Sequence, residues 1–126
     1  MVMKKTIAIF AAAVCILYFS CKKLTDGVGE VYGKWKLTES YMDPGDGSGK
    51  YQPVKENLFL TFDKSGKVTG DAAPTLLTFK ILDSINIEFT ATGQNRPIVY
   101  RYKVSERALT LNPPCIEGCG LRFIRQ

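Results

Sequence analysis

The chain has 126 residues, 45% of them hydrophobic, with 17 basic and 12 acidic side chains, four cysteines and no histidine. A net charge of +5 is mild, and no Lys/Arg cluster alternates with aromatics as a nucleic-acid face would. Without histidine neither a Ser-His-Asp nor a Cys-His arrangement can be built. Of the carboxylate pair Glu39 and Glu88 the second falls opposite in phase to Ile85, Ile87 and Phe89, so catalysis is the weakest reading and neither an enzyme nor a resident cofactor is expected.

The amino end, "MVMKK", is basic, and a charge-free run follows from Ile7 to Cys21. A membrane-spanning helix needs ~20 apolar residues, whereas a secretory signal core needs only ~7–15. The short core and the small Ser20 predict a signal peptide over residues 1–20. An ordinary signal with an incidental cysteine and an uncleaved anchor are the alternatives. The Ser20-Cys21 boundary resembles the lipobox of bacterial lipoproteins, with Tyr18 where that motif usually carries leucine. The resemblance implies that the Cys21 thiol is acylated and becomes the first mature residue, making the membrane a partner through a lipid anchor. Lys22 in place of the Asp that signals inner-membrane retention implies the outer membrane. Cys15 falls inside the signal. Removing residues 1–20 leaves 106, with a net charge of +3 and a size that suits one domain. Residues 21–30 read as a lipidated, polar tether and 31–126 as the folded domain.

From Glu30 onward the pattern is β throughout. "GKWKLTESY" alternates Trp35, Leu37, Glu39 and Tyr41 against Lys34, Lys36, Thr38 and Ser40, the period of a half-buried strand. A long turn-rich loop, "MDPGDGSGKYQP", follows. "NLFLTF" and "KVTG" flank "DKSG", a hairpin in which Gly66 can take positive φ. "LLTFKIL" and "SINIEFT" meet at Asp83-Ser84, and "IVYRYKV" and "ALTL" meet at Ser105-Glu106-Arg107. "LRFIR" is the last strand. The sum is an all-β fold, a small antiparallel up-and-down barrel of about eight strands, with a sandwich as the other way to close such a meander.

Gly33-Lys34-Trp35 is a G-x-W at the opening of the first strand of an eight-strand meander. This resembles the lipocalin family, and more closely the short lipocalin-like domains of bacterial lipoproteins. The resemblance implies a barrel plug made by Gly33 and Trp35, with the ring packed under a cation from the last strand, Arg122 or Arg125. It also implies that the Asp43–Pro53 loop covers the mouth, and that the interior can hold a small apolar ligand.

The alternation sorts the faces. Trp35, Leu37, Glu39, Tyr41, Leu58, Leu60, Phe62, Leu77, Phe79 and Ile81 point inward, as do Ile85, Ile87, Phe89, Ile98, Tyr100, Tyr102, Val104, Leu109 and Leu111. Lys34, Lys36, Lys80, Glu88, Arg101 and Lys103 point outward. Glu39, Tyr41, Phe79, Phe89, Tyr100 and Tyr102 then form the candidate ligand-binding set, a few polar groups among apolar walls. The same tyrosines could equally satisfy one another and Glu39.

Cys115 and Cys119 lie in "PPCIEGCG". In an exported domain the spacing predicts a local disulfide, worth about 2 kcal/mol for so small a ring. A zinc site lacks ligands, and a redox pair would more usually be C-x-x-C on a helix end. Asp43, Asp46 and Ser48 raise a calcium reading, but the order of a known calcium loop is missing. Two functions are expected from this reading. One is an anchored barrel binding a small apolar or amphipathic molecule. The other is a filled barrel that presents Asp43–Pro53 and Ala91–Pro97 to a protein or an envelope polymer.

Overall fold

Nine strands and no helix run through residues 30–126, the part of the chain that the computed structural model describes. The expected signal peptide, Cys15, the expected acylation site Cys21 and most of the expected tether lie outside the described residues. In chain order the strands are β1 (Gly33–Met42), β2 (Gln52–Pro53), β3 (Phe59–Phe62), β4 (Val68–Thr69) and β5 (Leu76–Ile81). Then follow β6 (Asn86–Ala91), β7 (Ile98–Val104), β8 (Ala108–Asn112) and β9 (Cys119–Arg125). The sheet order is β4-β3-β1-β9-β8-β7-β6-β5, and every neighbouring pair is antiparallel. The two ends of that path meet where Lys67 bridges Thr78 and the Phe79 amide donates to the Gly66 carbonyl at 2.8 Å. An up-and-down sheet is thereby nearly closed into a barrel, which leaves little of its edges exposed. β2 is an extra flap on β1, pairing Pro53 with Glu39 and Gln52 with Ser40.

The turns follow their sequences. Gly66 closes the Asp63–Lys67 hairpin at φ 93°, while Asp63 takes the Ser65 amide on its carboxylate. Asp83 holds the β5–β6 tip by accepting from the amides of Ile85 and Asn86. Ser105 receives the Ala108 amide on its hydroxyl and donates its own amide to the Ala108 carbonyl. The disulfide Cys115–Cys119 closes the β8–β9 connection, with a Cα separation of 5.8 Å.

Two register shifts decide which residues face inward. One lies between Leu37 and Glu39 on β1, the other between Leu76 and Thr78 on β5. An extra residue in one strand of a pair reverses the facing of everything after it. On β1 the shift sets Glu39 opposite Arg122 and Tyr41 opposite Gly120, on the face away from Leu37 and Phe123. Glu39 and Tyr41 therefore lie outside the barrel, contrary to the plain alternation. On β5 it is Leu76 that is buried and Leu77 that is exposed. Ile81 and Ile85, also expected inside, are exposed because they sit at the mouth of the β5–β6 hairpin.

The interior is closely packed. Trp35, Phe62, Phe89, Phe123, Leu60, Ile87, Leu109, Leu111 and Val31 are each less than 2% exposed. Phe79 stacks edge-on to Phe62 at 5.0 Å between centroids, and Tyr100 does the same to Phe89 at 4.8 Å. Edge-to-face pairs of this kind are favourable beyond their buried area.

Candidate functional site

At one end of the barrel, the end where residue 30 begins, the plug is assembled from three segments. Gly33 takes φ 118°, and a Cβ there would sit 3.3 Å from the Arg125 guanidinium. A glycine both permits that backbone and leaves room for the cation. Trp35 donates its Nε1–H to the Val31 carbonyl at 2.7 Å and is fully buried. Arg125 lies over the indole, 4.2 Å from the ring centroid, and donates to the carbonyls of Tyr32, Glu30 and Glu106. Of the two arginines considered for this place it is Arg125 that fills it. Arg122 is instead on the outer face, paired with Glu39 at 3.0 Å and lying 3.5 Å over the Tyr51 ring.

The six residues expected to line one ligand site are divided between two places. Phe79, Phe89, Tyr100 and Tyr102 are inside, packed on one another and on Phe62. Tyr102 donates its hydroxyl to the Asp83 carbonyl at 2.9 Å, so that polar tip is already satisfied by the β5–β6 turn. Burial raises the Tyr100 phenol above its ordinary value, and burial followed by the Asp83 charge does so for Tyr102. Both are neutral hydroxyls at physiological pH. Glu39 and Tyr41, the other two, belong to the outer face.

That outer face carries a second, unexpected constellation. Tyr41 and Tyr51 meet at 5.3 Å over Gly118 and Gly120 of the last connection and strand. A side chain on Gly120 would collide with the Tyr51 hydroxyl. Glycines leave bare patches on a sheet, and here two tyrosine rings cover them. The alternate glycines in "GCG" were the sequence signal for this arrangement. The loop between β1 and β2 is folded back onto this surface by Asp43, a buried carboxylate. Asp43 accepts from the amides of Gly45, Gly47 and Gly49 at 2.7, 3.1 and 3.2 Å, and from the Tyr41 hydroxyl at 3.4 Å. Asp46 similarly receives the Ser48 amide. Both carboxylates are thus engaged by backbone, and no metal-holding cluster of three or more His, Cys, Asp or Glu occurs among the described residues. Beside this loop Met42 and Ile116 stand almost wholly in solvent, Ile116 within the disulfide ring.

The Gly45 amide, then those of Gly47 and Gly49, hold the Asp43 carboxyl below its ordinary range against the opposing effect of burial. A depressed folded-state value means that the ionised carboxylate supports the loop above its unfolded pKa, and that this support is lost as pH falls through the folded value. The protection of the Gly45, Gly47 and Gly49 amides, measured against their intrinsic exchange rates, should therefore be high at neutral pH and fall as pH drops below the ordinary carboxylate range. Asp43→Ala should show low protection there at every pH while the barrel amides stay protected. Protection at those glycines that ignores both pH and the substitution would remove Asp43 from this role.

Comparison with family models, with curated proteins and with solved structures returns no match for this chain.

Proposed function

We propose that the chain is a lipid-anchored lipoprotein of a bacterial envelope whose filled barrel serves as a rigid scaffold for protein recognition. The observation that carries this reading is the closely packed interior. Phe79, Phe89 and Tyr100, which would have to line a ligand cup, occupy the space themselves. An eight-strand barrel can be filled by its side chains or can hold one small ligand, and this packing supports the first. The G-x-W plug and the barrel topology are consistent with a lipocalin-like scaffold kept for its rigidity.

The contact surface in this reading is the end away from residue 30. There Met42, Ile116 and the Asp43-ordered loop form an exposed apolar tip, held in place by the disulfide and by the tyrosine pair. Recognition groups commonly sit on loops fixed by a rigid scaffold. A protein suits this tip better than a sugar polymer, because the Tyr51 ring already has the Arg122 guanidinium stacked on it. Site-specific photocrosslinkers placed at Met42 and at Ile116 in the native envelope should yield the same protein adduct, and one at Leu77 should not. The acylation is checked by palmitate labelling of Cys21→Ser against the parent. Native mass spectrometry of protein from its own envelope should give the bare acylated mass. A retained small molecule there would return the case to the ligand-binding barrel.

A further inference from the structure

The strand directions place the hairpin tips 63–67 and 82–85 and the turn 105–107 at the same end as residue 30. This end differs in charge from the other. Segments 30–34, 63–67, 82–85, 105–107 and 124–126 hold five basic and four acidic side chains, with Arg101 and Lys103 higher on the outer face of β7, whereas loops 43–58, 70–75, 92–97 and 113–118 hold three and five. Two of the four acids, Asp63 and Asp83, are turned onto amides of their own turns. Lys64, Arg101, Lys103 and Arg107 form no ion pair with a carboxylate among the described residues. At the same end the β5–β6 hairpin exposes three aliphatic side chains, Ile81 at 39%, Leu82 at 44% and Ile85 at 49%. The tip carrying them is fixed, since its Asp83 carbonyl accepts the Tyr102 hydroxyl and its Ile85 carbonyl accepts the Tyr102 amide.

Exposed aliphatics beside unpaired cations match an interface between anionic headgroups and acyl chains. The chain leads the same way. Only residues 22–29 separate Cys21 from Glu30. Fully extended, a segment of that length reaches about 30 Å. An anchor at Cys21 therefore attaches at this end of the barrel and keeps it within about 30 Å of the bilayer. We infer that the basic end of the barrel rests on an anionic phospholipid surface, with Leu82 and Ile85 entering the headgroup boundary and the neighbouring cations meeting lipid phosphates. The inference rests on the lipid-anchor reading above, and it deepens it: docking would aim Met42 and Ile116 away from the membrane, toward a partner.

The test uses the full acylated protein, reconstituted into phosphatidylglycerol–phosphatidylethanolamine vesicles whose acyl chains are brominated. Trp35 is buried and supplies a constant background in all variants. Leu82→Trp and Ile85→Trp should be quenched at least twofold more strongly than Ile116→Trp, and raising the salt should shrink the difference. Equal quenching of tip and Ile116 reporters in a protein whose intact mass shows acylation overturns the docking while leaving the anchor standing. An unacylated intact mass overturns the anchor, and the docking with it.

Discussion

Trp35→Ala should destabilise the barrel by about 3–5 kcal/mol, the largest effect of any single substitution outside the backbone. Trp35 is completely buried, and its ring has Val31 and Leu60 among its buried neighbours in the core as well as the Arg125 guanidinium. Alanine would leave a large void and an unpaired Val31 carbonyl together, the two costs that a core can least absorb. Trp35→Phe separates them, because it refills most of the volume but cannot donate to Val31. It should cost about 1–2 kcal/mol. Urea unfolding followed by far-ultraviolet dichroism measures both, with unchanged slopes expected for a two-state loss. An alanine variant within 1 kcal/mol of the parent would mean that the plug is not part of the cooperative unit.

The same packing bears on the proposed function through the space it fills. A cup for a small molecule needs the interior aromatic residues to stand back from one another, but Phe79 of β5 is edge-on to Phe62 of β3 and Phe89 of β6 is edge-on to Tyr100 of β7. The shallow depressions that do exist are elsewhere. One of about 660 Å³ lies around Arg125, Glu106 and Lys64 at the basic end, and one of about 550 Å³ lies along Arg101 and Lys103 on the outside. Both mix charged and apolar lining, the first touching Phe62 and the second Tyr102, and neither is lined by Phe89 or Tyr100.

Much of this was legible because hairpins and period-two alternation are local. "DKSG", Asp83-Ser84 and Ser105–Arg107 each form the turns that their residue types favour, and Cys115 and Cys119 are joined in the loop their spacing suggested. The facing of Glu39 and Tyr41 was not legible. A bulge adds one residue without changing composition, and the stretch Thr38-Glu39-Ser40-Tyr41 has a polar or amphipathic side chain at every position. Either phase therefore satisfies the pattern. The same holds at Leu76-Leu77, where two identical side chains give no hint which one goes inside. Asp43 was hidden for another reason: its three amide donors lie in a glycine-rich loop that looks like a solvated turn until the carboxylate is seen beneath it.

Arg125→Ala should cost about 2–4 kcal/mol, whereas Arg122→Ala, three residues earlier on the same strand and on its outer face, should cost less than about 1 kcal/mol. Both residues are arginines stacked on an aromatic ring, so a sequence rule would treat them alike. Their partners differ. Arg122 meets a carboxylate in an ion pair whose two side chains are 48% and 40% exposed, where water and salt screen the attraction. Arg125 uses its guanidinium to join three separate carbonyls, those of Glu30, Tyr32 and Glu106, across the start of β1 and the β7–β8 turn. Charge-assisted bonds to neutral acceptors persist at high salt better than an exposed ion pair does. Lysine at position 125 could keep a cation over Trp35 but is a single point donor, and it cannot reach three acceptors in a fixed fork. Arg125→Lys should thus recover less than half of the loss. Trp35 emission reports the unfolding of all three variants, and the difference between positions 125 and 122 should survive 0.5 M salt. Equal midpoints for Arg125→Ala and Arg122→Ala would show that the carbonyl clamp contributes nothing beyond stacking.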